Sequence, residues 1–567
     1  LAWLGYDCRA TLAVAAVSGD AIDPELLEHV LDGVTPADHL AAAVRDRILV
    51  EAEGGRRRYR FAHALIRRVL VGDLAPSVRG QLHAHIANVL ERHGTAADTK
   101  TTEIVYHLAA AGTDETLRKA FEHACRGADQ AARGLGWEEA VRLYGIALDV
   151  GARSGLLDAA QAVELELALA RALRGAGDVP AARERCEHVM AACRRNPDPT
   201  AFARAALVFA GPLPEWGRME PTVRAVLEEA SQSAAAIDDA LRARLLARLA
   251  GDLIATNAVE QGERIFALCE EAATAARRSG ASGALAIALM GTHYVTRLGM
   301  RPARPGEHMP TFEEILAAAE AGGEHEYAAA VRYSRAMNLL SKGEPEAFSS
   351  EIDGLATAAS ASRSPDGLWL ADALASLRAC LQGRFAAAEE ARERALATGI
   401  RMQLANALGV YVSQRIMLHA LSGRLGEIAG ELEVFVDAHP FGARWRPFRA
   451  LARLQTGNAV DARAEYESML AAGLEPAERG VMSRTYLAGL AALCVALRDR
   501  EHAATLYRHI ARRDDVWQMD GAHSLGPWAL FLGPLARLCG KNAAAVGHFE
   551  TAIQLARRMG SPLIVAR

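Results

Sequence analysis

Gly457-Asn-Ala-Val-Asp-Ala-Arg-Ala-Glu-Tyr-Glu-Ser-Met469 carries the pattern that decides the fold of this 567-residue chain. A Gly-Asn turn is followed by Ala462, by Tyr466 four positions later and by Met469 three positions beyond that. Positions i, i+4 and i+7 lie on one face of an α-helix. A small residue there lets a partner helix approach, and the aromatic ring fills the gap between neighbouring helix pairs. The stretch therefore predicts the second helix of an α-hairpin.

The same spacing recurs along the chain, usually after a turn that contains Gly or Asp. The other examples are Ala140/Tyr144/Ala147, Ala503/Tyr507/Ile510 and Ala545/Phe549/Ala552, with weaker copies at Ala182/Cys186/Val189, Ala388/Arg392/Ala395 and Ile428/Leu432/Phe435. Recurrence of this kind indicates a repeat architecture. The spacings resemble those of tetratricopeptide (TPR) repeats. We therefore predict an all-α fold, a TPR-like α-solenoid built as a superhelix of antiparallel helix pairs, with degenerate repeats around residues 200–345.

The first hundred residues follow a different pattern. Ile48–Glu51 and Arg58–Phe61 are typical of two short strands, and Glu53-Gly54-Gly55-Arg56 between them has the glycines that a tight hairpin needs. Apolar spacing and Pro start signals predict helices at about 9–17, 24–32, 36–46, 62–73 and 77–93. The prediction is a small domain with one β-hairpin, or wing, which precedes the solenoid.

The order of strand, helix opening at His63, turn at Ala75-Pro76 and amphipathic helix resembles a known segment. It is similar to the winged-helix part that closes the nucleotide-binding module of signal-transduction ATPases of the STAND class, as in bacterial LuxR/MalT-like regulators and cyclase-linked ATPases. The resemblance implies a winged-helix-like domain at 1–95 and a TPR-like sensor arm at 96–567. Because the chain starts at Leu1 without Met and has no phosphate loop, we expect a carboxy-side fragment of a longer protein.

The resemblance also implies a function. The chain is expected to be the sensor portion of an ATP-dependent transcriptional regulator, whose arm binds an inducer or a protein partner on its concave face and so opens the ATPase for oligomerisation. ATP or ADP is then the cofactor of the longer protein, with none bound by this chain, and DNA is contacted only through an output domain outside it. The alternatives are an arm linked to a cyclase or kinase, and a stand-alone repeat scaffold.

Two residues are candidates for contact with nucleotide. The resemblance places His63 where the phosphates of a bound ADP can be reached, and Arg67 lies one turn later on the same helix face. Two alternatives stay open from the sequence. His63 can cap the start of its helix or pack against the wing, and Arg67 can be a solvated or ion-paired residue.

Four residues are candidates for binding a partner on the concave face of the arm. If Gly343 and Gly423 mark turns between helices, the first helix of each pair projects these side chains into the groove: Tyr333, Met337, Ser413 and Met417. The alternative is that they only pack between helices, as buried side chains usually do.

Composition and motifs exclude several other classes of protein. A net charge of -5 and a pI near 6.4 give no basic field for nucleic-acid binding by the whole chain. Arg56-Arg57-Arg58 with Arg60 is therefore more typical of a solvated hairpin tip than of a DNA-touching wing. No catalytic motif is present, and the zincin-like start His325-Glu326 lacks its second histidine because Ala329 stands there. We expect no catalytic residues and no metal ligands in this chain.

Location follows from cysteine spacing and hydropathy. The eight cysteines form no C-x-x-C pair and mostly fall on apolar helix faces, which is typical of reduced, buried thiols. No apolar run approaches the roughly 18 residues of a membrane-spanning helix. We therefore expect a soluble, cytoplasmic protein that makes no contact with a membrane.

Overall fold

The structure is a computed structural model that describes residues 5–32, 34–52, 59–93, 101–212, 221–256, 259–298, 300–302, 308–402, 404, 406–439, 442–474, 483–513 and 516–567. Within these ranges it contains 29 α-helices, five short strands and a few single 3-10 turns. The predicted all-α class is confirmed. The chain forms two compact units, Leu1–Leu173 and Arg174–Arg567.

The first unit combines a small three-stranded sheet with helices on its flanks. Its elements are α1 (Tyr6–Ser18), β1 (Ala21–Ile22), α2 (Pro24–Val30), α3 (Ala37–Arg45), β2 (Leu49–Glu51), β3 (Tyr59–Phe61), α4 (Ala64–Gly72), α5 (Pro76–His93), α6 (Thr101–Ala111), α7 (Asp114–Arg133), α8 (Trp137–Ser154) and α9 (Ala159–Gly175), the last of which crosses into the second unit. β3 lies between β1 and β2 and is antiparallel to both. Leu12, Ile22 and Leu49 are essentially fully buried beneath this sheet and hold the unit together.

The predicted strands and all five predicted helices of the first unit are present, with bounds shifted by a few residues. The sequence did not predict the two-residue strand β1, which pairs Ala21 with Arg60. The predicted tip of the wing at Glu53–Arg56, and the basic run Arg56–Arg58, lie outside the described residues. The predicted boundary at 95/96 divides repeat sequence from non-repeat sequence. The boundary between the two compact units falls later, at Leu173/Arg174. The reason is that α5 to α8 pack consecutively, so the first helical repeats belong to the first unit.

The second unit is a succession of helix pairs. Its helices are α10 (Val179–Arg195), α11 (Pro199–Ala210), α12 (Pro221–Gln232), α13 (Asp239–Ala255), α14 (Gly262–Ser279), α15 (Ser282–Arg297), α16 (Phe312–Ala321), α17 (His325–Lys342), α18 (Pro345–Ala361), α19 (Pro365–Leu381), α20 (Phe385–Arg401), α21 (Ala407–Leu421), α22 (Ala429–Ala438), α23 (Arg446–Gln455), α24 (Ala459–Ala471), α25 (Ser483–Ala496), α26 (Arg500–Ala511), α27 (Ala529–Leu538), α28 (Asn542–Met559) and α29 (Pro562–Val565). Each packs mainly on the helices before and after it, including through the irregular 200–345 region.

The repeat register is confirmed by burial. Ala462, Tyr466 and Met469 all lie in the core of the second unit, as the i, i+4, i+7 spacing predicts. The predicted inter-helix turns are also present, since Gly343 and Gly423 follow α17 and α21 with φ of 77° and 72°. Residues with a Cβ rarely adopt this left-handed conformation, so glycine ends each helix where the chain must reverse.

One feature of the second unit departs from a plain solenoid. Trp517–Asp520 (β4) and His523–Pro527 (β5) pair antiparallel, and we call the segment Trp517–Pro527 the inner hairpin. Its strand residues are all buried. It packs against α17, α21 and α25, the first helices of three different pairs. The residue pattern does not predict strands in this segment.

Candidate functional site

A cavity of about 220 Å³ lies inside the second unit. Its wall is made by the first helices of successive pairs, α13, α15, α17, α19, α21 and α25, together with the inner hairpin. The helix face that lines it is therefore the face that the repeat pattern assigns to the groove of the arm. Apolar side chains supply much of the wall, among them Ile254, Met290 and Leu370.

Three of the four residues predicted to face a partner line this cavity. Tyr333 and Met337 reach it from α17, and Ser413 reaches it from α21. The structure thus brings these three side chains together, while their role in binding stays a prediction. Met417 lies deeper, fully buried under the inner hairpin, where its Sδ accepts a hydrogen bond from the backbone N–H of Ser524 at 3.3 Å. In the structure Met417 therefore packs between helices, which is the alternative given for it above.

Neutral phenol groups form one polar part of the wall. Tyr294 shares a hydrogen bond with the hydroxyl of Ser334, and the hydroxyl of Tyr327 donates to the carbonyl of Ile287 at 3.3 Å. Burial raises the pKa of Tyr294, Tyr327 and Tyr333 above the ordinary value for a phenol. These side chains therefore stay uncharged at neutral pH and present hydroxyl groups to whatever occupies the cavity.

The inner hairpin adds the carboxylate of Asp520 to the wall, and hydrogen bonds within the protein already satisfy this group. Asp520 Oδ2 accepts hydrogen bonds from the N–H of Thr485 at 2.6 Å and from its hydroxyl at 2.8 Å. The Thr485 hydroxyl has a single proton, so with Asp520 ionised it must accept from His523 Nε2 at 2.8 Å and from Gln518 Nε2 at 3.1 Å. Burial lowers the pKa of His523 to about 3, which keeps its ring neutral.

Two other charged residues in the wall, Asp366 and Arg174, lack the side-chain hydrogen bonds that hold Asp520. Asp366 stands in the first turn of α19 and is 7% exposed, and Arg174 reaches the cavity from the end of α9. No ion pair within 4.0 Å joins them, yet they are near enough for Arg174 to act on the pKa of Asp366. Burial raises the pKa of Asp366, and the positive charge of Arg174 opposes this rise.

Several buried polar atoms around the cavity have no hydrogen-bond partner among the described residues. They are Nε and Nη1 of Arg174, Nε1 of Trp369 and Nε1 of Trp445, all three of which are lining residues. Buried donors without a partner are costly, at roughly 1–3 kcal/mol each. The residues that carry these donors all border the cavity, so polar groups without a partner in the described part of the chain lie close to its wall.

The two candidates for nucleotide contact lie in the first unit. His63 is exposed and is the N-cap of α4, with its Nδ1 accepting from the N–H of Leu65 at 3.1 Å. Arg67 donates from Nε to the carbonyl of Ala16 at 2.8 Å and pairs with Asp20 at 3.0 Å. The capping and ion-paired alternatives therefore describe what these side chains do in the structure. Of the two ring nitrogens of His63, Nε2 is the one not used for capping.

The remaining groups show no other chemical centre in the part of the chain that the structure describes. No cluster of three or more His, Cys, Asp or Glu side chains there is arranged to hold a metal ion. The cysteines are all free thiols. His83 of α5 contacts His107 of α6, with 2.8 Å between the two Nδ1 atoms.

The chain is similar to a signal transduction ATPase with numerous domains (STAND) protein with a tetratricopeptide repeat sensor from Pyrococcus horikoshii. Sequence identity is 14%, the alignment covers 84% of this chain, and the TM-score is 0.36. The chain spans 65% of the length of that protein. At this identity and TM-score the likeness does not extend to function.

No family model and no curated protein matches the sequence. Among the helices that the structure describes, none combines the length and the apolar character needed to cross a bilayer.

The sequence did not point to Arg174, Asp366 or Trp369. Asp366 and Trp369 lie on α19 and Arg174 lies on α9, so the three residues come from two helices far apart in sequence and form no local motif. One feature of the sequence could have drawn attention to Asp366. It follows Ser364-Pro365, which marks the start of a helix that is the first of its pair. This places Asp366 on the inner face, but it does not predict which charged residue lies near it.

Proposed function

We propose that this chain is the winged-helix and sensor-arm portion of an ATP-dependent signal-transduction regulator of the LuxR/MalT-like kind, and that its arm binds a small molecule in the interior cavity. The single observation that carries the proposal is this cavity, lined by the first helices of six pairs and containing buried donors without partners. Apolar walls with a few convergent polar groups are typical of small-molecule sites.

The inner hairpin supports a small inducer over a protein partner on this face. A peptide or protein in the groove of a repeat array needs an open row of first helices. Here Gln414 Nε2 of α21 donates to the carbonyl of Ala522 at 2.8 Å, and the N–H of Val516 donates to the carbonyl of Ser341 of α17 at 2.8 Å. The chain's own strands thus occupy the surface on which a peptide would lie.

A ligand in this position can act as a regulator because it contacts several repeats at once. A ligand shifts a conformational equilibrium only through its difference in affinity for the two states. A coupling of roughly 1–3 kcal/mol suffices for a five- to 150-fold effect. A molecule that touches α13, α17 and α21 together favours one arrangement of those helices over others.

The proposal is tested by filling the cavity. Ala330 of α17 lines it, so Ala330→Trp places an indole in the space that a ligand needs, while Ala386→Trp makes the same change at an exposed position of α20. A metabolite collection is screened against the 567-residue chain by thermal shift, and hits are measured by calorimetry. We expect a compound whose affinity falls by about tenfold or more in Ala330→Trp. The affinity should be unchanged in Ala386→Trp.

Two results count against a small-molecule site in the cavity. One is that no compound in the collection binds to the chain. The other is a binder whose affinity is the same in Ala330→Trp as in the parent chain, with circular dichroism showing that the variant is folded.

Contact with nucleotide is the second part of the proposal. In a longer protein that includes the nucleotide-binding module, Nε2 of His63 would donate to a phosphate of ADP, while Nδ1 continues to cap α4. His63→Ala should then speed the release of ADP, measured with a fluorescent analogue. The exposed His29→Ala change on α2 is the matched control. Equal release rates from the His63 variant and the parent would remove His63 from this role.

The cyclase- or kinase-linked arm and the stand-alone scaffold remain alternatives. The reading frame on either side of the chain distinguishes them, since a cyclase domain, a helix-turn-helix or the lack of an ATPase sequence each favours a different one.

A further inference from the structure

Arg174 and Asp366 differ from the other charged residues of the cavity wall. Arg248 donates to the carbonyls of Gly211 and Ala210, both at 2.8 Å, and Asp520 is held by Thr485. Asp366, by contrast, is more than nine-tenths buried, and among the described groups its carboxylate is hydrogen-bonded only to its own backbone N–H. Arg174 has two buried N–H groups without an acceptor in the described part of the chain.

The local structure holds the guanidinium of Arg174 in place without neutralising it. It lies directly against Gly211, where a Cβ would push its Nη2 aside. Gly211 also has a φ of 77°, which favours glycine at this position. The guanidinium therefore packs close to the backbone here, and its Nε and Nη1 make no hydrogen bond to a described acceptor.

The separation between the charges of Arg174 and Asp366 indicates what kind of molecule could lie between them. They are too far apart for a direct pair and near enough to influence each other electrostatically. Burying opposite charges without pairing is unfavourable, because each loses hydration and neither gains a partner. A molecule with a negative group for Arg174 and a positive group for Asp366 would satisfy both at once.

The rest of the wall indicates what the molecule carries besides its charges. Trp369 and Leu370 follow Asp366 on α19, and Tyr333, Met337 and Val410 complete an aromatic and aliphatic surface. A cavity of about 150 Å³ is large enough to bind benzene. A space of about 220 Å³ therefore takes a single ring or a branched aliphatic group with a short polar end.

From these observations we infer that the cavity is a site for a zwitterionic amino acid with an apolar side chain, its carboxylate bound by Arg174 and its ammonium group by Asp366. This inference rests on the proposed function and names the class of inducer. The side chain of the ligand lies among Tyr333, Trp369 and Val410.

The test uses three probes with the same phenyl ring and different charges. L-phenylalanine carries both charges, 3-phenylpropionate carries only the carboxylate, and 2-phenylethylamine carries only the ammonium group. Affinities for the 567-residue chain are measured by calorimetry. We expect L-phenylalanine to bind about tenfold or more tightly than either of the others, because charge-assisted hydrogen bonds form at both ends.

Two variants separate the roles of the charges. Asp366→Asn should weaken L-phenylalanine and 2-phenylethylamine but not 3-phenylpropionate, and Arg174→Gln should weaken L-phenylalanine and 3-phenylpropionate but not 2-phenylethylamine. Arg174→Lys, which keeps the charge, should retain part of the affinity and guards against loss of folding. The exposed ion pair Asp239–Arg278 supplies matched controls, Asp239→Asn and Arg278→Gln, which should leave all three affinities unchanged.

Several results would overturn the inference. One is that L-phenylalanine binds no more tightly than the single-charge probes. Another is that Asp366→Asn has the same effect on all three. A third is that none of the probes binds. In each case the proposed function still stands if the metabolite screen gives a binder that Ala330→Trp excludes, and it falls as well if that screen is negative.

Discussion

At the scale of single residues, the structure contains a histidine pair that the protein keeps uncharged. His83 and His107 are 6% and 2% exposed and meet through their Nδ1 atoms at 2.8 Å. One ring must donate and the other must accept, so the contact cannot form when both rings are protonated. Burial, with the charges of Arg79 and Arg67 acting on His83, lowers the pKa of each histidine to about 4.

This pair predicts a loss of stability in acid. Both folded pKa values lie below the ordinary value of 6.5, so their contribution is fully present above pH 6.5 and is lost as the pH falls towards 4 and below. His107→Gln removes one titrating ring and should flatten the fall by up to about 1.4 kcal/mol per pH unit. The urea midpoint at pH 7 and at pH 5 measures it. His29→Gln, at an exposed position, should keep the parent's slope, and an unaltered slope in His107→Gln would contradict the assignment.

The residue scale also shows what sequence alone can predict about the site. Tyr333, Met337 and Ser413 were found because helical spacing and the glycine turns fix which face of a first helix looks inward. Arg174 and Asp366 were not found, because a pairing across the cavity depends on how the helices between them stack. No local pattern records that geometry.

At the scale of elements, the aromatic residue Tyr466 connects its own helix pair to the next one. Tyr466 of α24 is 2% exposed, and its hydroxyl donates to Asp499 Oδ2 at 2.9 Å. The other oxygen of Asp499 caps α26 through the N–H groups of Glu501 and His502. One side chain therefore fills the space between pairs and also holds the cap of the following helix.

Two substitutions at Tyr466 separate these contributions. Tyr466→Ala should cost roughly 3–5 kcal/mol, because it leaves a cavity in the core. Tyr466→Phe should cost roughly 1.5–3 kcal/mol, the range for a hydrogen bond to a charged group. Tyr411→Phe, which loses an exposed contact to Glu393, is the control and should cost less than about 1 kcal/mol. Urea unfolding provides the values, and an unchanged midpoint in Tyr466→Ala would refute the repeat register.

The inner hairpin was not predicted from the sequence, and its burial explains why. Strands are recognised by alternation of apolar and polar residues, but here both faces are buried. The polar residues of the hairpin are satisfied internally, since Gln518 Oε1 accepts from the N–H of Leu525 at 2.7 Å and the Ser524 hydroxyl donates to the carbonyl of Gln518 at 2.6 Å. Gly521, Gly526 and Pro527 give the segment the composition of a loop.

At the scale of the second unit as a whole, the inner hairpin couples repeats that are distant in sequence. In a plain solenoid each repeat contacts only its neighbours, and stability is close to a sum of local terms. Here the hairpin bonds to α21 through Gln414 and to α25 through Thr485, and Val516, directly before the hairpin, bonds to Ser341 of α17. A disturbance at any of these helices is expected to reach the other two.

Hydrogen exchange can detect this coupling. Thr485→Val removes the hydroxyl that joins Asp520, His523 and Gln518, at a cost of roughly 1–3 kcal/mol for each buried polar group left unsatisfied. We expect faster amide exchange in α17, not only in α25 and its neighbours. Thr551→Val, which removes an exposed hydroxyl on α28, should leave α17 unaffected. Exchange that changes only around α25 would show that the repeats behave independently.

The long separation in sequence between the inner hairpin and the helices that it covers has a consequence for biosynthesis. Residues 325–342 leave the ribosome long before Trp517–Pro527 has been made, and at ordinary elongation rates the interval is roughly ten to forty seconds. During that time the inward faces of α17 and α21 lack the strands that cover them in the finished protein. Exposed apolar surface on a nascent chain favours aggregation and chaperone binding. We therefore expect the yield in a heterologous host to depend on the translation speed over residues 343–527.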